Sequence, residues 1–287
     1  MAQLACSVII VSYYTNGSLF ECLAALFAQQ TDDLTIEVIV VDNGNPASDS
    51  KRLATLAAAQ RIRWLKGQGN IGFAAGCNLG VRHASTDTVL LLNPDCVAEA
   101  NTMRHLLTFL QTQPEKTLVS GWVTNPDGSE QRGLRRNLLT PWSLFIEMLP
   151  LVKHLPPLAR RRLNLTGQPL PPVATIRVPA CSGACMLLPK ALYEQLGGMD
   201  EGYFLHVDDL DFCLRLQQQG GQICIQRNSV FAHYQGTSVV SGKRVARHKR
   251  NSFNRYFAKH FPRFWRSPPG WGLRLAIAIN YWLSKSS

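Results

Sequence analysis

Short runs of β-branched and aliphatic residues recur through the first 120 residues, each followed by a stretch whose apolar positions repeat at helical spacing. Ser7–Ser12, Ile36–Asp42, Ile62–Lys66, Thr88–Leu92 and Thr117–Val123 read as strands. Leu19–Gln29, Ser50–Gln60, Ala74–Ala84 and Ala98–Gln111 read as the helices between them. Strands that are apolar throughout, rather than alternating, are covered on both faces. The pattern therefore predicts an α/β fold with a mainly parallel central sheet flanked by helices. In such sheets the ligand belongs at the carboxyl ends of the strands.

Beyond the turn signal Asn125-Pro126-Asp127-Gly128 the pattern loosens. Residues 133–172 are rich in Leu, Pro and Arg and read as an irregular, helix-containing insertion. A strand from Ile176 leads into Cys181–Leu188, and a helix from Pro189 ends at Gly197-Gly198 as a glycine cap ends one. A further helix, Asp208–Gln219, precedes a strand Gln222–Gln226.

Composition narrows the class. At 46% hydrophobic and 17% charged residues, disorder is not the default. The eight cysteines lie in apolar surroundings without zinc-site or disulfide-framework spacing, which predicts buried, reduced thiols in a cytoplasmic protein. Residues 1–12 read as a strand rather than a signal peptide, and no run reaches the roughly 18 apolar residues of a spanning helix. The net charge of +11 sits at one end: from Lys243 to Ser287 there are eleven Lys and Arg and no Asp or Glu. Interleaved aromatics suit this tail to an anionic membrane surface. A nucleic-acid arm would use the same residues, but 271–283 is too apolar for one, so no nucleic-acid partner is expected. An ordinary solvated helical tail stays open.

Several motifs bear chemistry. Val40-Val41-Asp42-Asn43-Gly44 puts a carboxylate just past a strand end, where it can accept from a nucleotide base or ribose. Asp-Asn-Gly is equally ordinary turn chemistry. Gly67-Gln68-Gly69-Asn70-Ile71-Gly72 matches the dinucleotide pattern G-x-G-x-x-G, yet it follows the third strand rather than the first. A diphosphate at the helix start, simple close packing and a dinucleotide site all stay open there. Asn93-Pro94-Asp95 throws a carboxylate out at a strand end. A hard cation bridging a diphosphate needs only one or two such carboxylates, although a satisfied turn aspartate would look the same. Around Asp208-Asp209-Leu210-Asp211 the helix dipole and an Asp211–Arg215 pair account for part of the acidity. The two adjacent aspartates need another reason, since like charges so close raise one pKa toward the range of a general base. His233 is either structural or, with Asp95, completes an oxygen and imidazole set suited to Mn2+ or Mg2+.

Taken in order, Ser7–Tyr13, Val41-Asp42-Asn43, Gly69–Asn78, Leu91–Asp95, Ser182-Gly183-Ala184, Asp208–Arg215 and His233-x-x-Gly236 resemble the family 2 inverting glycosyltransferases, especially the bacterial rhamnosyltransferase-like branch. The resemblance covers about residues 5–240. It implies a GT-A fold, a Mn2+ or Mg2+ ion and a nucleotide-diphosphate sugar donor, dTDP- or UDP-linked, with rhamnose from dTDP-rhamnose leading. The implied acceptor is a glycan or lipid-linked glycan in cell-surface polysaccharide synthesis. Carried over by position, Asp209 is the catalytic base, and Ser12, Asp42, Asn43, Gly72, Asn78 and Asn93 are donor contacts. Asp95 and His233 hold the metal, while Asp208, Asp211, Arg215 and Gly183 support the acceptor or the active site. Two positions depart from the family: its first metal-motif aspartate is Asn93 here, and its Glu-Asp before the catalytic helix is Asp208-Asp209. The expected organisation is a nucleotide-sugar half over 1–125, an acceptor and catalytic half over 126–242, and a basic aromatic helical tail over 243–287. The tail would hold the protein peripherally on the inner face of the cell membrane. The rivals are an NAD-type oxidoreductase built on Gly67–Gly72 and, because of Asn93, a non-catalytic nucleotide-sugar-binding membrane scaffold.

Overall fold

Four parallel strands form the first half of the sheet: β1 (Leu4–Ser12), β2 (Leu34–Asp42), β3 (Arg63–Leu65) and β4 (Thr88–Leu92), with β1 between β2 and β4. The computed structural model describes residues 3–15, 17–148, 158, 161–234 and 242–283. Gly236 and part of the insertion expected at 133–172 lie outside the described residues. Helices α1 (Ser18–Phe27), α2 (Ala47–Ala58) and α3 (Phe73–Arg82) connect these strands, and Val8, Ile9, Ile10 and Val11 of β1 are all buried. That is what an unbroken apolar run requires of its surroundings. Two glycines let α3 lie close on β1: a Cβ at Gly76 would sit 2.8 Å from Val11 Cγ1, and one at Gly80 2.4 Å from Ile9 Cγ2. The glycine spacing that overran the dinucleotide pattern is thus helix-on-strand packing.

The chain continues through β5 (Cys96–Ala98), α4 (Thr102–Gln111), β6 (Thr117–Thr124), β7 (Arg135–Arg136), α5 (Pro141–Met148), β8 (Thr175–Arg177), β9 (Ala180–Cys181), β10 (Cys185–Pro189), α6 (Lys190–Gln195), α7 (Asp208–Gln218) and β11 (Gln222–His233). The large sheet runs β3-β2-β1-β4-β10-β6-β11-β5, with β8 on β11. β10 is antiparallel to both β4 and β6, while β11 is parallel to β6. The result is the expected α/β architecture with a mixed, mostly parallel sheet.

Two differences from the sequence reading bear on function. The helix expected from Ala98 starts at Thr102, because Cys96–Ala98 pairs antiparallel with Phe231–His233. β11 correspondingly runs past Gln226 to His233, through a register shift between Gln226 and Val230. Both follow from a long-range pairing that local pattern does not encode. The insertion, moreover, is not wholly irregular: β7 pairs with β9, opposing Arg135 to Cys181 and Arg136 to Ala180.

The helices of the basic end, α8 (Gly242–His260), α9 (Pro262–Trp265) and α10 (Pro268–Leu283), pack on the domain rather than trailing from it. Tyr256 and Phe257 are fully buried, and Phe257 stacks on Trp265 with ring centroids 5.5 Å apart. Asp211, itself fully buried, accepts hydrogen bonds from Arg215 Nε, Lys259 Nζ and His260 Nε2, each at 2.7 Å. Arg255 and Lys259 also pair with Asp200. Part of the basic excess is therefore spent inside the fold. No helix among the described residues is long and apolar enough to cross a membrane, and all eight cysteines are free and buried.

Candidate active site

The pairing of β5 with the end of β11 sets Cys96 opposite His233 and so brings Asp95 to the imidazole. Asp95 Oδ1 lies 2.8 Å from His233 Nε2, and Asn93 Nδ2 lies 3.3 Å from the same nitrogen. On the ring's other side Nδ1 is 2.5 Å from Gln131 Oε1, while Gln131 Nε2 donates to the His233 carbonyl at 3.2 Å. The amide oxygen of Gln131 only accepts, so Nδ1 carries a proton. Nε2 and the Asp95 carboxylate then face each other as two acceptors unless a positive centre, a proton or a cation, lies between them.

That arrangement fits a divalent ion: one carboxylate, one imidazole oriented through its second nitrogen, and an amide alongside. Cys96 is also near, with its sulfur within 4.8 Å of the Asp95 and His233 ligand atoms. Burial pushes its thiol well above the ordinary range, and it points at the Ala184 carbonyl, 3.6 Å away. A thiolate suits a softer ion than Mn2+ or Mg2+, so Asp95 and His233 are the pair that fits a hard cation.

The second cluster forms at the start of α7. His206 and Val207 have φ of 67° and 68°, a left-handed conformation that is costly for a β-branched residue. The segment is gripped from two sides. Phe204 O accepts from Phe73 N at 3.0 Å and lies 2.7 Å from where a Cβ of Gly72 would be, and Ser252 Oγ of α8 donates to Leu205 O at 2.9 Å. This grip presents Asp208 and Asp209 at a helix N-terminus.

Asp209 Oδ2 accepts from Arg136 Nη2 at 2.5 Å and Gly183 N at 2.9 Å, and its Oδ1 from Leu210 N at 2.7 Å. Burial alone would raise this carboxyl, but the Arg136 charge and hydrogen bond and the two amides hold it below its ordinary value. Asp208 has the opposite fate: burial, and then the charge of Asp209, push it up to about 7. Its Oδ1 accepts from Asp209 N, while Oδ2 is buried without a partner among the described residues. A group with a raised folded pKa contributes stability below its unfolded pKa and loses it as pH rises through the folded value. Stability should therefore decline between about pH 4 and pH 7 through Asp208. Asp208→Asn should stabilise the fold at pH 8 by on the order of 1–3 kcal/mol, seen as a higher melting temperature, and leave the melting temperature nearly unchanged at pH 4. Equal melting of the two proteins at pH 8 would remove the strain assigned to Asp208.

Both clusters line one cavity of about 1030 Å³. It gathers Asn93, Asp95, Gly183, Asp208, Asp209 and His233 with the cations Arg132, Arg136, Lys249 and Arg250. Burial, then the nearby Arg132 charge, lowers the Lys249 ammonium. Arg136 Nε, like Asp208 Oδ2, is buried with no partner among the described residues. Orphaned polar atoms of both signs mark a pocket built for a charged, polar ligand.

The remaining sequence candidates divide. Ser12, Asp42, Asn43 and Gly72 form an adjoining network at the ends of β1 and β2. Ser12 Oγ donates to Asn45 Oδ1, Asn45 and Trp64 Nε1 donate to Asp42, and Asn43 Nδ2 donates to Gly72 O. Gly72, with φ of 88°, is required by its approach to Phe204. Asn78 lies elsewhere. Its side chain joins Tyr193 OH, Met199 N and O, and Glu201 Oε1, so its hydrogen-bonding capacity goes to bracing α3 against the loop after α6 rather than to a ligand. Asp211 and Arg215 likewise serve the buried cluster that anchors α8.

Sequence reasoning missed Arg136, Gln131 and Lys249. Arg136 and Gln131 fall near or within a stretch of weak periodicity, and Lys249 is one of many tail cations. The adjacent pair Arg135-Arg136 carries no signal of direction, and runs such as Arg160-Arg161-Arg162 look the same in the chain.

A family model described as Glycosyl transferase family 2 matches residues 7–197. The N-acetylglucosaminyl-diphospho-decaprenol L-rhamnosyltransferase of Mycobacterium tuberculosis is 23% identical over 287 residues, spanning 95% of this chain and 90% of its own. The low-salt glycan biosynthesis hexosyltransferase Agl10 of Haloferax volcanii is 26% identical over 217 residues, which is 74% of this chain but only 62% of that relative. Among solved structures, that of GalNAc-T7 with UDP, GalNAc and Mn2+ superposes with a TM-score of 0.63 at 14% identity, covering 97% of this chain and 55% of that one. At such identity the similarity shows the fold alone, and the fold is GT-A.

Proposed function

As a member of glycosyl transferase family 2, the chain is a glycosyltransferase, and we propose that it is a metal-dependent, inverting one that moves rhamnose from dTDP-rhamnose to a lipid-linked or glycan acceptor in cell-surface polysaccharide synthesis. One observation carries this reading: six residues from four separated stretches of chain converge on a single cavity whose unsatisfied polar atoms await a charged ligand. The name of the mycobacterial relative supports the sugar and the lipid-diphosphate acceptor class. Gly72, Gly76 and Gly80 are accounted for by packing, and the family match leaves the NAD-type reading unfavoured.

In this mechanism Asp209 is the general base, kept ionised by Arg136 and by the amides of Gly183 and Leu210. It takes the proton of an acceptor hydroxyl as that oxygen attacks the anomeric carbon. The bond from that carbon to the diphosphate oxygen breaks on the opposite face, so configuration inverts. Asp208, with its carboxyl near 7, keeps the pair close to a single negative charge and limits repulsion of the diphosphate. Arg132, Arg136 and Lys249 draw the anionic substrates in, and Asp42 with its Ser12–Asn45 network receives the base. Asp95 and His233, beside Asn93, would hold Mn2+ or Mg2+, which supplies positive charge to the leaving nucleoside diphosphate.

A thermal-shift panel tests the reading. dTDP or UDP at about 100 times its Kd should stabilise the protein by about 2.7 kcal/mol, only with Mn2+ or Mg2+ present, and NAD should have no effect. Protection by NAD, or nucleotide protection that survives a chelator, would overturn it.

A further inference from the structure

Helix α10 is apolar on two sides. Leu273 and Ile277 are buried against the domain, whereas Trp271, Leu275 and Ile279 recur at four-residue spacing on the other side and are 59%, 62% and 49% exposed. A surface helix ordinarily carries polar residues there. The adjoining helix α5 adds Trp142 and Phe145, stacked with ring centroids 5.8 Å apart and both exposed. Five large apolar side chains on two touching helices exceed the scattered exposure normal for a protein surface.

The charge around them has one sign. Residues 243–287 contain no acid, and Arg263, Arg266 and Arg274 are exposed in and beside α10. Of the other aromatics of this end, Tyr256, Phe257 and Trp265 are buried in the fold, Phe253, Phe261, Phe264 and Tyr281 are half-buried, and Trp282 extends the exposed row at the end of α10. The ridge on α5 and α10 is thus what the basic end offers to a partner among the described residues.

We propose that this face docks on an anionic lipid bilayer, with the aromatic and aliphatic ridge at the headgroup boundary and the arginines on lipid phosphates. A second copy of the chain fits less well, because a symmetric contact would bring the arginines of both copies together with no acid in the segment to balance them. The same two helices contribute Leu144, Met148, Ile277 and Tyr281 to the cavity wall. Docking therefore sets the cavity beside the membrane surface, where a lipid-linked acceptor enters. The surface lies outside the donor and metal residues and goes beyond the transferase reading.

Flotation of the full chain with vesicles of phosphatidylglycerol and phosphatidylcholine, without donor or acceptor, tests the proposal. Wild type should float with these vesicles, less so as salt is raised, and should not float with phosphatidylcholine alone. The double variant Trp271→Glu, Leu275→Glu should lose at least about 30-fold in partition coefficient while melting at the wild-type temperature, since both side chains are exposed. Failure of wild type to float, equal binding to phosphatidylcholine, or wild-type binding by the double variant would overturn the proposal. So would a dimer, measured by light scattering, that the same substitutions disperse. Because no nucleotide is present, none of these results bears on the transferase reading, and loss of nucleotide protection leaves this one standing.

Discussion

Asp209→Asn is expected to lower kcat by a factor of about 10²–10⁴, the usual worth of a positioned general base, while Mn2+-dependent binding of dTDP stays within a fewfold of wild type. Asparagine keeps the size of the side chain, and its single amide oxygen can accept from Leu210 N or from Gly183 N, which bond different oxygens of Asp209, so one of the two backbone bonds at the start of α7 is kept. It loses the charge opposite Arg136 and the capacity to take a proton. Steady-state turnover with dTDP-rhamnose and a lipid-diphosphate acceptor analogue, set beside nucleotide titration, separates the two roles. Near-normal kcat would remove Asp209 from the chemistry and leave Asp208, whose carboxyl lies near 7, as the remaining acid of the pair.

The largest stability effect is expected at Asp211. Its buried carboxylate is the common partner of Arg215, Lys259 and His260. Asp211→Asn leaves those donors without their counter-charge, and breaking such a buried set costs roughly 3–5 kcal/mol. For a chain this size that lowers Tm by on the order of 10 °C. Burial would raise the Asp211 carboxyl, but the hydrogen bonds from His260 and Lys259 and the Arg215 charge hold it well below its ordinary value. A depressed folded pKa gives stability that is present above the unfolded value, about 3.9 for aspartate, and is lost as pH falls below it. The melting temperatures of variant and wild type should thus converge in acid and separate above about pH 5. Limited proteolysis should also release α8–α10 from the variant first. A Tm within 2 °C of wild type at pH 7 would show that the cluster does not anchor these helices.

The parallel half of the sheet was legible because each strand carries its own signal. Thr88–Leu92 is apolar at every inner position and bounded by turn residues, and β4 spans those residues. The acidic helix start was equally visible, since Asp208-Asp209 needs no distant partner to be noticed. What the two aspartates do was not visible. Asp209 is held low because Arg136, some 70 residues earlier in the chain, reaches it from a two-residue strand created only by pairing with β9, whereas burial and the charge of Asp209 raise Asp208.

The basic end shows the same division. Its composition alone announced charge and aromatic content, but composition assigns no direction to a side chain. Burial of Tyr256, Phe257 and Trp265 and the capture of Lys259 by Asp211 depend on which surfaces meet, and so does the exposure of Trp271, Leu275 and Ile279.

By itself, then, the sequence determined the α/β class, the order of the parallel strands' elements and the residue types at strand ends, because hydrophobic period and turn chemistry are local properties. Only the tertiary structure decided that Asp95 meets His233, that Gln131 orients that imidazole, that Asn78 braces the fold, and that Arg136 separates the two aspartates. Each of these rests on a contact between distant parts of the chain, where long-range strand pairing, rather than the preference of any residue, sets the distance.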